Sequence, residues 1–324
     1  MKYLPFRILN TGVLVATLTL IPTLWEPDDA QEADRPPNIL YIVADDLGWK
    51  DVGFHGSDIR TPTLDALAAK GAKLEQFYAQ PMCTPTRAAA MTGRYPMRYG
   101  LQTAVIPQGP TYGLATDEWL LPQALKEAGY ETAIVGKWHL GHADQKFWPR
   151  QRGFDHAYGP LIGEIDYFSH KVDGKVDWFR DNEVVEEEGY STTLFGNEAV
   201  KLIEGHDLAT PLFLYLAFNA VHAPYQAPQE YLDRYKDIED PSRRAYAASA
   251  TGWTIRSGVS LPPSTRRRCS TTRSSSSRAT TAEREIPCSL VQSPTCLRSC
   301  FQRTTGPIAM AKARFTKAEH ASSP

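Results

Sequence analysis

Short, uninterrupted apolar runs alternate along this chain with segments of helical periodicity, and this alternation is what most constrains the fold. The apolar runs are Ile39–Val43, Thr132–Val135 and residues 211–218. Runs of this length are typical of strands buried on both faces of a parallel sheet. Helical spacing of apolar residues marks the segments 63–73, 118–127 and 197–204. The sequence therefore predicts an α/β fold with a mostly parallel central sheet.

Polar side chains follow each of the three predicted strands. Asp45 and Asp46 come after the first strand, Lys137 and His139 after the second, and His222 after the third. In open α/β sheets, ligands bind outside the carboxyl ends of the strands. We therefore expect these five side chains to share one site.

The adjacent aspartates Asp45 and Asp46 have the chemistry of a hard-cation site. Oxygen ligands at this density suit Ca²⁺ or Mg²⁺. The alternative is a helix N-cap followed by a solvated neighbour, which is common for aspartates after a strand.

The pentapeptide Cys83-Thr-Pro-Thr-Arg87 follows this acidic pair by about forty residues. Residues 86–92 favour a helix, so Cys83 is expected just before a helix N-terminus, with Arg87 one turn further on and facing the same site. The spacing of cysteine, proline and arginine, together with the segment Asn38–Gly48, resembles the sulfatase family. That resemblance implies an alkaline-phosphatase-like sandwich and a sulfuric ester hydrolase.

The resemblance also implies the chemistry at residue 83. A formylglycine-generating or anaerobic sulfatase-maturating enzyme would oxidise Cys83 to formylglycine. One hydroxyl of its hydrate would attack sulfur, and the other would then help to expel sulfate. Asp45, Asp46 and the side chain at position 83 would hold the divalent ion, usually Ca²⁺ with Mg²⁺ as the alternative, and Arg87 would steady the hydrate.

The motif Gly136-Lys-Trp-His-Leu-Gly141 places Lys137 and His139 two residues apart, which is the same side of an extended segment. A lysine can bind a sulfate oxygen as a point charge, and a histidine can shuttle a proton. By resemblance, Lys137 would bind sulfate, His139 would contact the formylglycine hydroxyl, and His222 would act as general acid and substrate contact. A satisfied core histidine is the alternative for His222.

A further segment, Asp166-Tyr-Phe-Ser-His170, is similar to sequences of the arylsulfatase B type. In those proteins such a loop shapes the substrate pocket, and sugar pockets combine aromatic with polar groups. Tyr167 and His170 are therefore expected to bind substrate.

The N-terminal 33 residues predict export. Lys2 and Arg7 precede an apolar run from residue 8 to residue 24, and Ala30 and Ala33 offer cleavage positions. A signal peptide is favoured over a retained anchor because the run is short for a span of about 20 residues. The protein is accordingly expected in the periplasm or outside the cell. The net charge of −2 gives no electrostatic case for nucleic acid.

From about residue 249 the expected family pattern stops. Residues 249–324 contain four of the five cysteines, an arginine triplet and a serine run. Shifting the reading frame by one base can restore, in order, the Asp-Asp, Asp-Asn-Gly-Gly and Gly-Lys-Gly…Glu-Gly-Gly signatures of the family. A frameshift is therefore preferred over a disordered tail that binds anionic polymers.

The sequence thus predicts an export segment at 1–33, a partial catalytic domain at 36–248 and an anomalous tail at 249–324. The fold would be incomplete on its C-terminal side, and the Asp-Asn metal ligands and a second lysine would be missing. We expect an impaired enzyme that acts on a sulfated carbohydrate or an aryl sulfate. A phosphate or phosphonate ester hydrolase and an inactive truncated product are the alternatives.

Overall fold

A computed structural model of the chain describes residues 36–258. The predicted export segment, residues 259–324 of the predicted tail and the four cysteines in that tail lie outside the described residues. No described helix has both the length and the apolar character needed to cross a membrane.

Helices separate the three strands that the apolar runs predict, β1, β2 and β8. The strands are β1 Ile39–Val43, β2 Glu131–Gly136, β3 His156–Gly159, β4 Lys171–Val172, β5 Lys175–Val176, β6 Phe179–Arg180, β7 Glu183–Val184 and β8 Leu212–Ala217. The helices are α1 Pro62–Lys70, α2 Cys83–Thr92, α3 Leu121–Glu127, α4 Ser191–Gly205, α5 Gln229–Leu232 and α6 Pro241–Ser257.

The central sheet is mostly parallel. Six strands lie in the order β1-β8-β2-β3-β6-β7, and β4 pairs with β5 in a separate hairpin. The first four strands of that order are parallel, whereas β6 and β7 add an antiparallel edge. The predicted sheet class is therefore confirmed.

The centre of the sheet is buried on both faces, which is why every residue of β8 is buried and apolar. Successive side chains of β8 alternate between two cores: Leu212, Leu214 and Leu216 face one, and Phe213 and Tyr215 face the other. The first core includes buried side chains of α4 and α6, and the second includes those of α2 and α3. The result is a layer of helices on each side of the sheet.

The register of three strands aligns the residues that follow them. Val43 at the end of β1 and Gly136 at the end of β2 both pair with Ala217 of the intervening β8. Position 136 requires glycine, because its φ is 111° and an added Cβ would lie 2.0 Å from the Ala217 carbonyl oxygen. Asp45 and Lys137, just beyond these strand ends, therefore lie at one level of the sheet edge.

Helix α6 runs past the boundary predicted at residue 249. The helix continues to Ser257, and every residue from 247 to 254 is buried. The sequence pattern misses this because the buried positions are small, so the helix shows no apolar stripe. Tyr190 and Tyr235 bond to Ser249 and Thr251, and Trp253 packs edge-on against Phe218 with ring centroids 6.1 Å apart.

This packing predicts that the end of α6 contributes to stability. Trp253 is 3% exposed, so Trp253→Ala should lower the free energy of unfolding by about 3–5 kcal/mol through lost burial and a residual cavity. Denaturant unfolding of the full chain measures this. Trp119→Ala is the matched control, because Trp119 is 48% exposed and its loss should cost less than about 0.5 kcal/mol. Equal effects of the two substitutions would contradict the packed position of Trp253.

Candidate active site

Cys83 lies at the start of helix α2. The helix begins at Cys83 itself, with Met82 as the N-cap residue, and not at Thr86 as the sequence analysis expected. The Thr84 hydroxyl donates to the His139 carbonyl oxygen at 2.9 Å and accepts from the Ile106 N–H at 3.1 Å. These bonds fix the first turn of α2 against the segment that follows β2.

Asp45 is buried between two cations. The Lys137 ammonium donates to the Asp45 carboxylate, and the Arg87 guanidinium lies 3.4 Å from it. Burial alone would raise the pKa of Asp45, but Lys137 and Arg87 together lower it to about 2. The carboxylate is therefore ionised at neutral pH, and its pairing offsets the cost of burying three charges.

The Cys83 thiol lies directly beside this ion cluster. Its Sγ is 3.2 Å from the Lys137 Nζ and 3.6 Å from the nearer Asp45 oxygen. The Arg87 guanidinium also donates to the Lys137 carbonyl oxygen at 2.5 Å, which connects α2 to the end of β2. The structure thus brings Cys83, Arg87, Lys137 and Asp45 together. Asp45 and Lys137 do so from just beyond the ends of β1 and β2, and Arg87 from one turn beyond Cys83 in α2.

Asp46 and His222 lie on the open side of the cluster. Asp46 has a φ of 58°, and its carboxylate is 3.6 Å from the His222 Nε2. The His222 Nδ1 donates to the Ala223 carbonyl oxygen at 2.6 Å, so Nε2 faces the site. A hydrogen bond with the Cys83 side chain is the main cause that raises the pKa of His222 to about 9. His222 is therefore protonated at neutral pH in this arrangement.

A carboxylate oxygen of Asp45, a carboxylate oxygen of Asp46 and the Cys83 Sγ all lie within 4.8 Å of one another. Two carboxylates fit a hard divalent cation, and an oxygen in place of the sulfur at position 83 would fit it better. These three side chains alone supply fewer ligands than the six to eight oxygens that Ca²⁺ takes. The residues are thus suited to part of a cation site.

His139 is less accessible than expected. Its Nε2 bonds to the Ile106 carbonyl oxygen at 3.1 Å, and its Nδ1 is buried without a partner among the described residues. Burial, with Lys137 and Arg87 nearby, lowers the pKa of His139 to about 3, so the ring is neutral. Its role toward the side chain at position 83 stays a prediction.

Tyr167 and His170, which are expected to bind substrate, are buried in the structure. Tyr167 is 1% exposed, and its hydroxyl bonds to the carbonyl oxygens of Asn219 and His222. His170 is also 1% exposed and stacks on Trp178 with ring centroids 4.1 Å apart. The substrate role of these two residues stays a prediction, and in the structure Tyr167 holds the segment that carries His222 in place.

Asp177 is a residue of this region that the sequence analysis missed. Its buried carboxylate accepts from the N–H groups of Leu161 and Ile162, in the loop after β3. That loop bonds in turn to the main chain of His139, and a Cβ on Gly163 would lie 2.3 Å from the His139 ring. Asp177 therefore holds the loop that backs His139 and Lys137. A lone aspartate between two short hairpin strands carries no sequence signal for this.

Comparison with known proteins identifies the family. The family model for sulfatases matches residues 37–281. Arylsulfatase J of Mus musculus is 43% identical over 235 residues, which are 68% of this chain and 38% of that protein. N-acetylgalactosamine-6-sulfatase of Rattus norvegicus is 41% identical, over 65% of this chain and 46% of that protein. The chain belongs to the sulfatase family.

A solved structure supports the same conclusion. The crystal structure of Ps i-CgsB in complex with k-i-k-neocarrahexaose is 35% identical, has a TM-score of 0.65, and covers 72% of this chain and 55% of that one. The expected alkaline-phosphatase-like α/β fold is thereby confirmed. Sulfatases generally use a metal ion and formylglycine. The chain spans about two fifths to a little over half of the length of these relatives.

The burial of Asp177 predicts a pH dependence of stability. Burial raises the pKa of Asp177 from 3.8 to about 6, against the opposing effect of its two main-chain hydrogen bonds. The Asp177 carboxyl group thus binds its proton more tightly in the folded chain than in the unfolded chain. The free energy of unfolding should therefore fall as pH rises from about 4 to about 6, by up to about 3 kcal/mol, and this contribution should be constant above that range.

The variant Asp177→Asn isolates this contribution, because the amide has no proton to lose in that range. The stability of Asp177→Asn relative to the wild type should increase between pH 4 and pH 6 and then level off. Denaturant unfolding of both proteins across pH 4–7 measures the difference. A difference that stays constant with pH would show that Asp177 titrates normally.

Proposed function

We propose that this site hydrolyses sulfuric esters and that its substrate is a sulfated carbohydrate or an aryl sulfate. The observation that carries the proposal is the position of Cys83, at the start of a helix and 3.2 Å from the ammonium of Lys137. A nucleophile placed beside a buried cation is suited to an anionic ester, because the cation attracts the ester oxygens. The named activities of the relatives, arylsulfatase and N-acetylgalactosamine-6-sulfatase, support the same class of substrate.

In this proposal each residue has a separate task. Oxidised to formylglycine by a maturation enzyme, the side chain at position 83 supplies the nucleophilic oxygen that forms a bond to sulfur as the ester S–O bond breaks. Lys137 binds a sulfate oxygen, and Arg87 keeps Asp45 and the Lys137 main chain in place. Protonated His222 donates its Nε2 proton to the departing alcohol oxygen.

We further propose Ca²⁺ as the metal ion, with Mg²⁺ as the alternative. Asp45, Asp46 and the oxidised side chain at 83 would hold it. When bound, the cation would neutralise charge on the sulfate group and orient it. The missing Asp-Asn ligands, attributed here to a change of reading frame near codon 249, would leave this site weak and turnover slow. We also propose that the chain is exported, on the basis of Lys2, Arg7 and the apolar run that follows them.

Production of the full chain together with a formylglycine-generating enzyme tests the activity. Peptide mass spectrometry should show that the Cys83 thiol has been converted to an aldehyde. The chain should then release a coloured phenol from an aryl sulfate slowly, and Cys83→Ala should abolish that release, because it removes the nucleophile. An aryl phosphate assayed in parallel should react more slowly.

Three results would contradict this proposal: an unmodified thiol in the presence of the enzyme, activity that survives Cys83→Ala, and faster hydrolysis of the phosphate. The last result would favour the phosphate ester hydrolase. Robust sulfate turnover would instead contradict the proposed loss of metal ligands.

Calcium should raise the melting temperature of the full chain only at concentrations on the order of millimolar, because few ligands are present. Asp46→Asn should remove that rise by taking away one carboxylate ligand. Thermal unfolding at increasing Ca²⁺ measures the effect. Asp237→Asn is the control, since Asp237 is an exposed aspartate remote in sequence from the site. An equal calcium response in both variants would place the ion elsewhere.

A further inference from the structure

Asp177 is a buried ionisable group that has no task in the proposed hydrolysis. It lies between the short strands β5 and β6 and is 6% exposed. One oxygen of its carboxylate accepts from the Leu161 N–H at 3.3 Å, and the other accepts from the Ile162 N–H at 2.8 Å. Within residues 36–258 no charged side chain contributes to its pKa, which burial raises. A buried carboxylate without a cation is costly, and the two hydrogen bonds offset that cost only in part.

The two N–H groups belong to a loop, residues 160–163, that follows β3 and lies against the segment after β2. This loop also accepts two hydrogen bonds from that segment. The Pro160 carbonyl oxygen accepts from the Trp138 N–H, and the Leu161 carbonyl oxygen accepts from the His139 N–H, both at 3.0 Å. The loop thus connects the carboxylate of Asp177 with the main chain of His139.

The main chain of His139 needs this support. Its φ is 59°, in the left-handed region, which costs a residue other than glycine free energy and persists only where the surroundings impose it. The Leu161 carbonyl oxygen fixes the His139 N–H, and the Thr84 hydroxyl fixes its carbonyl oxygen at 2.9 Å. If the loop moved, only the contact with α2 would hold this conformation.

The loop also packs directly against the side chains of His139 and Lys137. A Cβ at Gly163 would lie 2.3 Å from the His139 Nδ1 and 2.8 Å from the Lys137 Cε, so no space remains between the loop and either side chain. The His139 Nε2 bonds to the Ile106 carbonyl oxygen at 3.1 Å, and the Lys137 Nζ lies 3.2 Å from the Cys83 Sγ. A displaced loop would therefore open space behind both groups.

We propose that Asp177 is a positioning residue of the active site. By holding the loop 160–163 in place, its carboxylate keeps the His139 ring buried and the Lys137 ammonium beside the side chain at position 83. The alternative is a carboxylate that only stabilises the fold, in which case His139 would not respond to its loss. The effect of Asp177 on turnover rests on the proposed function, whereas its effect on His139 does not.

NMR of the full chain with isotopically labelled histidine, made without the maturation enzyme, tests the positioning without any turnover. Burial is the main cause that lowers the pKa of His139 to about 3, so its ring resonance should stay constant between about pH 5 and pH 8. Asp177→Ala removes both acceptors, and water behind the ring should raise that pKa toward 6.5, so the resonance should titrate in this range. Loss of a nearby negative charge would by itself lower the pKa, so a rise reports lost burial.

Three further variants complete this experiment. Asp177→Asn keeps one acceptor oxygen and should preserve the neutral ring. Gly163→Ala leaves the carboxylate intact but places a methyl group where the His139 ring lies, so the ring should titrate as in Asp177→Ala. Trp253→Ala is the matched control for lost stability, because it empties a buried position outside the loop and should leave the ring neutral.

A His139 ring that stays neutral in folded Asp177→Ala would overturn the proposal. A ring that titrates equally in Trp253→Ala would also overturn it, because the titration would then report only general loss of stability. If Asp177→Ala does not fold, Gly163→Ala decides the question, and a neutral ring in that variant would overturn the role of the loop.

Turnover by the matured chain tests the consequence for the reaction. Asp177→Ala should lower kcat for an aryl sulfate by about 10–100-fold, since a misplacement of about 1 Å can cost a hundredfold. Asp177→Asn should recover most of that loss. If the ring titrates in Asp177→Ala but the matured wild type hydrolyses no sulfate ester, the positioning stands and the proposed function fails. If the wild type is active and Asp177→Ala has the same kcat, the positioning role in the reaction is overturned.

Discussion

The buried carboxylate of Asp45 is the group on which the arrangement of the site depends. It lies between Lys137 and Arg87, and all three side chains are nearly inaccessible to solvent. Burying charge is expensive unless each group finds its partner, so removal of one member would leave the others uncompensated. The cluster joins the end of β1, the end of β2 and the first turns of α2. Its electrostatic pairing thus fixes three elements that are distant in sequence.

The same pairing constrains what chemistry the site can perform. Lys137 contacts both Asp45 and Cys83, so a single ammonium group neutralises the acid and lies beside the nucleophile position. His222 approaches from the other side, where its hydrogen bond to the unoxidised Cys83 side chain raises its pKa. Position 83 thus lies between the Lys137 ammonium and a proton donor. This combination suits an anionic ester whose leaving group must be protonated, and it is the physical basis of the proposed hydrolysis.

How much of this the sequence could predict depends on the kind of feature. Continuous apolar runs identified β1, β2 and β8 because both faces of these strands are buried, and the polar residues after them identified Asp45 and Lys137 as neighbours. The short strands β4–β7 escaped prediction, since two-residue strands have no measurable period. The burial of Tyr167 and His170, in the segment that precedes β4, escaped prediction with them. The end of α6 escaped for a different reason: small residues such as Ala248 and Ala250 pack closely against the sheet without forming an apolar stripe.

The position of β1 places one edge of the sheet beside the active site. In the described chain β1 ends the order of the sheet, and Ile39, Tyr41 and Val43 line the same cavity as Asp45 and Trp49. A strand at a sheet edge presents unpaired main-chain groups, which tend to pair with another strand. A reading frame that restored the Asp-Asn segment of the family would supply metal ligands, and a strand carrying them beside β1 would cover this edge. Under the frameshift proposal, weak metal binding and an uncovered sheet edge therefore have one cause.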